Sequence, residues 1–335
     1  MNNFKLAQSI GVVATALFSL IVFAACNKDR SDTIPTIEQT IVGLEDLSQL
    51  ELATIKTDLV VTLSNKNTVS GSAGNFTFFA PTNKAFAKLG LALPQDLNSL
   101  QHGFLSNIIK YHISNGSTKD EMLTSESTLF SLLEGETIKK RIVIRGVDKY
   151  INGSKIIVGN AKADNGIVHV IDRVLLISDA DIAQSTKAFA QGRGFVQPEL
   201  NFLSEALNYC DLDGFLSDPS KSYTVFAPSN QAFTDLGKLL GVSLKQPSDV
   251  RKLEKANLSK ILRTHIFTER GGRFTSEMYP GSHTALNGEK VAFGEYDNGV
   301  FSLKGSGNTT VANMLIPDIQ TTNGVLHIID RVILP

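Results

Sequence analysis

Tryptophan is absent from this chain of 335 residues, and aromatic residues make up only 7% of it. Proteins that hold sugars or bases by stacking use aromatic faces, so the composition offers few such platforms. An excess of one charge is also lacking, because 32 lysines and arginines stand against 33 aspartates and glutamates. The net charge of −1 gives no general positive field, which argues against nucleic acid as a partner.

Cysteine is nearly missing, since Cys26 and Cys210 are the two in the chain. An intrachain disulfide framework is therefore not expected. Cys210 follows apolar residues at helical spacing, among them Leu203, Ala206 and Leu207. We predict a buried structural thiol, because no histidine or lysine stands next to it in the sequence to make it reactive.

The first 25 residues have the layout of an export signal, with Lys5 before an apolar run over 10–25 and a polar stretch after it. Cys26 follows Phe-Ala-Ala, which resembles the lipobox of bacterial lipoproteins, in which the cysteine is lipidated and becomes the N-terminus. An ordinary signal peptide or an uncleaved anchor is the alternative. Asn27 after the cysteine implies an outer-membrane lipoprotein of the cell envelope, facing the surface or the periplasm.

The remainder of the chain contains an internal repeat. Three blocks recur in the same order: 76–90 with 223–237, 106–113 with 259–266, and 163–176 with 321–334. A unit of roughly 140 residues has the size of one globular domain. We predict a signal peptide, a polar tether, a first domain, a linker and a second domain, over 1–25, 26–38, 39–178, 179–197 and 198–335.

Each block predicts local structure. In the first, a β-branched and aromatic strand ends at Pro81 or Pro228, and Thr82 or Ser229 offers an N-cap for a helix. The second predicts a helix that runs into an extended segment. The third predicts an Asn-Gly turn before a strand that is apolar on both faces, which belongs in the middle of a core.

Together these blocks resemble the signature blocks of the fasciclin domain, through the phrase TFFAPTNKAF, the Tyr-His pair at 111–112 and NGIVHVIDRVLL. Both copies carry all three, although Thr264 replaces the tyrosine in the second copy. The resemblance implies an α+β fold of two tandem fasciclin-like domains. Each would be an antiparallel β-wedge flanked by helices.

Four of the six histidines match between the repeats, as His112 with His265 and His169 with His327. Two equivalent metal or acid–base sites are one interpretation. We favour neutral core histidines bonded to the backbone, because two of them lie in apolar strands without metal-ligand spacing. No nucleophile or phosphate-binding motif accompanies them. The sequence thus predicts no enzyme, no cofactor and no metal.

Two surfaces are candidate binding sites. Pro317, Asp318 and Ile319 match a Pro-Asp-Ile segment that is implicated in integrin recognition in animal matrix members of the family. The first copy has residues 161–164 at that place, and a role in shaping the strand is the alternative we favour. The second candidate is a basic run, which could attract acidic glycans or could be a solvated helix face; it includes Arg251, Lys252, Lys255, Lys260 and Arg263.

These observations lead to one functional hypothesis and one alternative. The leading hypothesis is a non-catalytic adhesion or binding module, held to the membrane by its lipid, for an extracellular protein or polysaccharide. The alternative is an accessory component of a surface glycan-capture system, or an enzyme with an unrecognised site. Nucleic acid is not an expected partner.

Overall fold

The structure, a computed structural model, describes residues 33–132, 139–194, 199–268 and 272–335. Ile34–Pro335 forms one compact unit. The predicted signal peptide, Cys26 and the tether up to residue 32 lie outside the described residues.

The first repeat begins with three helices and contains two more between its strands. The helices are α1 Ile37–Val42, α2 Ser48–Lys56, α3 Val60–Ser64, α4 Asn83–Ala87 and α5 His102–Tyr111. Short 3₁₀ turns lie at Glu45–Leu47, Pro94–Ser99 and Asp120–Met122. The strands are β1 Phe76–Pro81, β2 Ile113–Asn115, β3 Thr128–Phe130, β4 Lys139–Arg145, β5 Asp148–Ile151, β6 Ser154–Ala163, β7 Gly166–Ile171 and β8 Leu176–Ile177.

The second repeat follows the same order. Its helices are α6 Ile182–Ala190, α7 Asn201–Tyr209, α8 Asp213–Leu216, α9 Asn230–Leu240 and α10 Lys255–Thr264, with 3₁₀ turns at Pro247–Lys252 and Thr275–Glu277. Its strands are β9 Tyr223–Pro228, β10 Ile266–Phe267, β11 Gly281–Thr284, β12 Lys290–Phe293, β13 Leu303–Gly305, β14 Met314–Thr321 and β15 Gly324–Ile329.

The sheets confirm the α+β class and refine the expected wedge. One sheet has the order β2-β1-β7-β6-β5-β4-β3, and the second repeat has β10-β9-β15-β14-β8 and β11-β12-β13. Most neighbours are antiparallel, but the central pairs β1–β7 and β9–β15 are parallel. The first and third blocks form those central strands, so an entirely antiparallel wedge was an incorrect expectation at this position.

The central strands are buried on both faces, as their sequence predicts. All six residues of β1 and all six of β9 are buried. Phe78 packs into the cluster that includes the helices, whereas its neighbour Phe79 packs into a second cluster on the other face. Alternate side chains of a strand point to opposite faces, so one strand contributes to two layers of core.

The predicted linker over 179–197 contains a buried helix. Residues 182–190 form α6, whose Ile182, Ala183 and Phe189 are buried in the main core. The sequence contains a signal for this helix, because Asp181 is a suitable N-cap residue in front of an apolar helical pattern. In the structure its side chain accepts from the backbone N–H of Gln184 at 2.8 Å. The boundary predicted at residue 39 falls within α1, which starts at Ile37.

Candidate functional site

The repeated phrase of the first block is structural. Thr82 Oγ1 accepts from the backbone N–H of Ala85 at 3.2 Å, and Ser229 Oγ accepts from that of Ala232 at 3.1 Å. Both residues are the predicted N-caps, of α4 and α9, and both are buried. The two hydroxyl oxygens therefore accept hydrogen bonds from backbone N–H groups inside the fold.

Asparagines of the blocks cap helices that lie far away in sequence. Asn83 Oδ1 accepts from the N–H of Gln49 in α2, and Asn230 Oδ1 accepts from that of Phe202 in α7. The first residue of α1, Ile37, donates its N–H to Asn165 Oδ1 at 2.9 Å. Asn323 does the same for α6. Unsatisfied N–H groups at a helix start must find an acceptor when they are buried, and these amides provide it.

The four matched histidines are neutral core residues, as predicted. His327 is fully buried; its Nδ1 accepts from the N–H of Asp318 at 3.1 Å and its Nε2 donates to the carbonyl of Arg273 at 2.9 Å. His169 makes the same pair of contacts with Asn160 and Thr118. Burial lowers the pKa of His327 to about 4 and lowers the pKa of His169.

His112 and His265 form a second matched pair, with their ring nitrogens in exchanged roles. In each, Nδ1 donates to the carbonyl one turn earlier in the helix, Ile108 or Ile261. The other nitrogen accepts from the N–H of Leu175 or Ile333. Burial lowers the pKa of His112 to about 3 and that of His265 to about 4, so both rings are in the neutral form near neutral pH.

The segment with Pro317, Asp318 and Ile319 forms a β-bulge inside the molecule. The pairing of β14 with β15 shifts between Ile316 and Ile319, and Asp318 adopts a left-handed φ of 66°. Asp318 and Ile319 are buried, whereas Pro317 is half-buried. The Asp318 carboxylate accepts from both the N–H and the hydroxyl of Thr275, each at 2.7 Å. This geometry agrees with the strand-shaping alternative, and recognition of a ligand by the segment stays a prediction.

The counterpart of Asp318 in the first repeat is Asn160, so residues 161–164 were the wrong match. Asn160 also has a left-handed φ, of 61°, and also lies at a register shift of its strand. Each residue donates its N–H to the histidine nine positions later. Asn160 Oδ1 accepts from the N–H of Asp120, the first residue of a 3₁₀ turn, as Asp318 does from Thr275.

Four of the five basic side chains named in this run have acidic partners nearby. Arg251 pairs with Glu205 at 2.7 Å and Lys255 with Asp211 at 2.6 Å. Lys252 and Lys260 pair with Asp249 and Glu289, both at 2.9 Å. Arg263 lies over the ring of Phe215, 5.8 Å from its centroid. This arrangement fits a solvated helix face better than a surface available to bind acidic glycans. Glycan binding there stays an untested prediction.

Three arginines of the first repeat reach into the second. Arg141 donates to the carbonyl of Gly272 at 2.6 Å and pairs with Glu277 at 3.1 Å. Arg145 donates to the carbonyl of Met278 at 2.7 Å and lies between the rings of Tyr279 and Tyr296. Arg173 Nη2 donates to the carbonyl of Asn298 at 2.7 Å. No sequence signal connected these residues, because each partner belongs to the other repeat.

The backbone and Asp318 itself complete this interface. Strand β8 pairs with β14 in parallel, and the N–H of Ser178 donates to the carbonyl of Gln320 at 2.7 Å. The Tyr111 hydroxyl donates to the side-chain oxygen of Gln320. Gly153 lies against Asp318 so closely that a Cβ on it would sit 2.0 Å from Oδ2. Burial raises the pKa of Asp318 to about 7, although the charge of Arg173 acts in the opposite direction.

Cys210 is a buried free thiol, as predicted, and burial raises its pKa. Within the described residues, no cluster of three or more histidine, cysteine or carboxylate side chains could hold a metal ion. The described helices include none with the length and apolar character needed to span a membrane.

Comparison with known proteins adds a family. The model of the Fasciclin domain matches residues 45–177 and again residues 198–335. Human periostin is 29% identical over 262 residues, which cover 78% of this chain and 28% of periostin. Fasciclin-1 of Drosophila melanogaster is 24% identical over 82% of this chain and 43% of its own length. The chain thus spans less than half of these two animal proteins.

Two further similarities are with a short bacterial protein and a solved structure. The uncharacterized protein sll1735 of a Synechocystis species is 35% identical over 43% of this chain and 99% of its own length. A FAS1 domain pair from the insect cell adhesion molecule Fasciclin I covers 78% of this chain and 89% of that structure. It does so at 16% identity and a TM-score of 0.39.

Proposed function

The chain belongs to the fasciclin domain family, and from that premise we propose that it is a non-catalytic adhesion or binding module of the cell envelope. Its partner is an extracellular protein or polysaccharide. Fasciclin domains are associated with adhesion and binding in related proteins, and two of them stand in tandem here. Function resides in surfaces and sites, so the proposal needs support beyond the fold.

One observation carries the proposal: the four histidines that match between the repeats, which were the candidates for acid–base or metal chemistry, are already bonded within the fold. Both ring nitrogens of all four matched histidines contact backbone groups, as His327 does with Asp318 and Arg273. A general base needs a free lone pair within reach of its substrate. These side chains therefore support a scaffold role, in which the interface between repeats holds two domains as one binding body.

The envelope location rests on the export signal and on Cys26. Several acyl chains, each stabilised by about 0.8 kcal/mol per buried methylene, would anchor the chain firmly. We expect Cys26→Ala to give a soluble or unprocessed product. A mature-sized product that still partitions into detergent would contradict lipidation.

The binding proposal is tested with the envelope protein itself, on a glycan array and in pull-downs from envelope extracts. We expect one saturable partner, which the charge-preserving variant Arg251→Lys retains. Saturable glycan binding without a protein partner would contradict protein adhesion and favour the glycan-capture alternative. Turnover of any array glycan would contradict a non-catalytic role.

A further inference from the structure

Each repeat has a cavity between the helix after its first block and the end of its third block, which contributes Arg173 or Arg331. In the first repeat the cavity has a volume of about 250 Å³. Its apolar wall comes from both repeats and includes Ala85, Leu89, Val174, Leu176, Met314 and Leu315. The volume approaches the ~300 Å³ at which small-ligand pockets begin. The site therefore combines a concave apolar surface with residues of both domains.

Two cationic side chains, Lys88 and Arg173, also line this cavity, and no acidic residue is among its described lining residues. Lys88 is half-exposed and contacts Asp172, with Nζ 3.3 Å from Oδ2. Arg173 donates Nη2 to Asn298, while its buried Nε has no hydrogen-bond partner in the described part of the chain. The Lys88 ammonium has three N–H donors and the Arg173 guanidinium has five, so both side chains retain donors for an anion.

The matched cavity in the second repeat differs from the first in volume and in charge. It has a volume of about 140 Å³, and Asp235 takes the place of Lys88. Asn308, Thr309 and Thr310 line it where the first cavity has apolar residues of the other repeat. Arg331 stands where the first cavity has Arg173. One chain thus contains two versions of the same cavity, of which one carries two cationic side chains and the other carries one cation and one carboxylate.

A second apolar cavity adjoins the first one and lengthens the apolar space. It has a volume of about 220 Å³ and shares a wall of Leu89, Val174 and Leu176 with it. Phe86, Leu105 and Ile108 contribute to its lining, and Glu199 is the acidic residue among its described lining residues. Apolar walls with a charged group at one end match a molecule that is itself apolar with a charged end, because each part then meets a complementary surface.

We propose that the cavity at Lys88 and Arg173 binds a free single-chain amphiphile with an anionic head, of the long-chain carboxylate class. The carboxylate accepts from Lys88 Nζ and from the guanidinium of Arg173. The alkyl chain lies against Leu89, Leu176 and Leu315, towards the adjoining cavity. This site is separate from the macromolecular binding of the proposed function, and neither depends on the other.

The test titrates the full chain, freed of detergent, with a dansyl-labelled undecanoate kept below its micelle concentration. We expect saturable binding of one probe per chain. Lys88→Asp, a half-exposed position, should weaken binding about tenfold, because it removes a charged hydrogen bond. Leu315→Ser should weaken it severalfold. An alkylamine of equal length should bind poorly to the native chain and better to the Lys88→Asp variant.

Matched controls come from the second repeat. Asp235→Lys and Leu239→Ser change the corresponding cavity and should leave probe binding unchanged. Melting temperatures identify any variant that is unfolded, in which case Lys88→Gln replaces Lys88→Asp. Absence of saturable binding, equal affinity for the amine and the carboxylate, or binding only to phosphatidylglycerol vesicles would each overturn the proposal.

Discussion

Asn160 and Asp318 occupy the same β-bulge of the two repeats, yet Asn160 is exposed and Asp318 lies sealed beneath the first repeat. Both cap a 3₁₀ turn and both donate their N–H to a core histidine. The two positions differ because Asp318 has a titratable carboxyl group and is shielded from water by the first repeat, whereas Asn160 has a neutral amide and is exposed. The two repeats therefore share the same capped β-bulge, and in the second repeat this bulge has become part of the interface.

The largest effect is expected where the two repeats touch, at Gly153. Gly153→Ala adds a Cβ that would sit 2.0 Å from Asp318 Oδ2, at a residue whose φ is +84°. We expect unfolding free energy to fall by about 3–4 kcal/mol, from clash and backbone strain together. Chemical denaturation measures it.

Gly146→Ala is the matched control, because Gly146 also has a positive φ, of +61°, with open space around it. It should cost only the backbone term of about 1 kcal/mol. Equal losses in the two variants would mean that Gly153 does not press on Asp318.

The next largest effect is expected from removal of the core histidines, and it should differ between the two repeats. His327→Ala leaves the N–H of Asp318 and the carbonyl of Arg273 unpaired in a buried place, so we expect a loss of about 2–3 kcal/mol. His169→Ala should cost about 1–2 kcal/mol, because Asn160 is exposed and water can replace the ring. Partner binding should persist in both. Lost binding at an unchanged melting temperature would contradict the scaffold role.

Asp318→Asn makes the second repeat resemble the first and should alter the dependence of stability on pH. The pKa of Asp318 is raised from 3.8 to about 7, so the folded chain holds the extra proton between those values. The stability contributed by this group therefore falls as pH rises from about 4 to 7. The variant should be more stable than the native chain by about 1–2 kcal/mol at pH 8 and not at pH 4. Denaturation midpoints at both pH values decide it.

Asn160→Asp is the reciprocal change and should shift stability by less than about 1 kcal/mol, since the position is exposed. A pH dependence as large as that of Asp318 would show that solvent exposure does not distinguish the two bulges.

The smallest effect is expected in the basic run, which lies apart from the two bulges. Lys255→Glu breaks a pair with Asp211 on an exposed face and should change stability by at most about 0.5 kcal/mol. Retention on an acidic glycan column should also stay unchanged. Clearly weaker retention would restore the basic run as a binding site.

The sequence predicted features whose cause is local. A proline stop and a hydroxyl cap lie within a few residues of one another, so the strand and helix around Thr82 and Ser229 could be predicted. Apolar residues on both faces of their strands likewise predicted that His169 and His327 would be buried.

Features that depend on distant partners could not be predicted. The bulge at Asp318 is set by register against β15, and aspartate and asparagine both tolerate a left-handed φ, so residue type alone does not mark it. A count of nine residues back from each histidine would have aligned Asp318 with Asn160. The arginines of the interface carry no such mark.

The segment around Asp318 joins the two repeats into one unit. Hydrogen exchange at the amide of Ser178, which donates to Gln320 across the interface, tests it most directly, with the core amide of Phe226 as reference. We predict that both exchange only on global unfolding, with free energies within about 1 kcal/mol of each other. Exchange of Ser178 at the rate of an exposed loop, while Phe226 stays protected, would contradict the account.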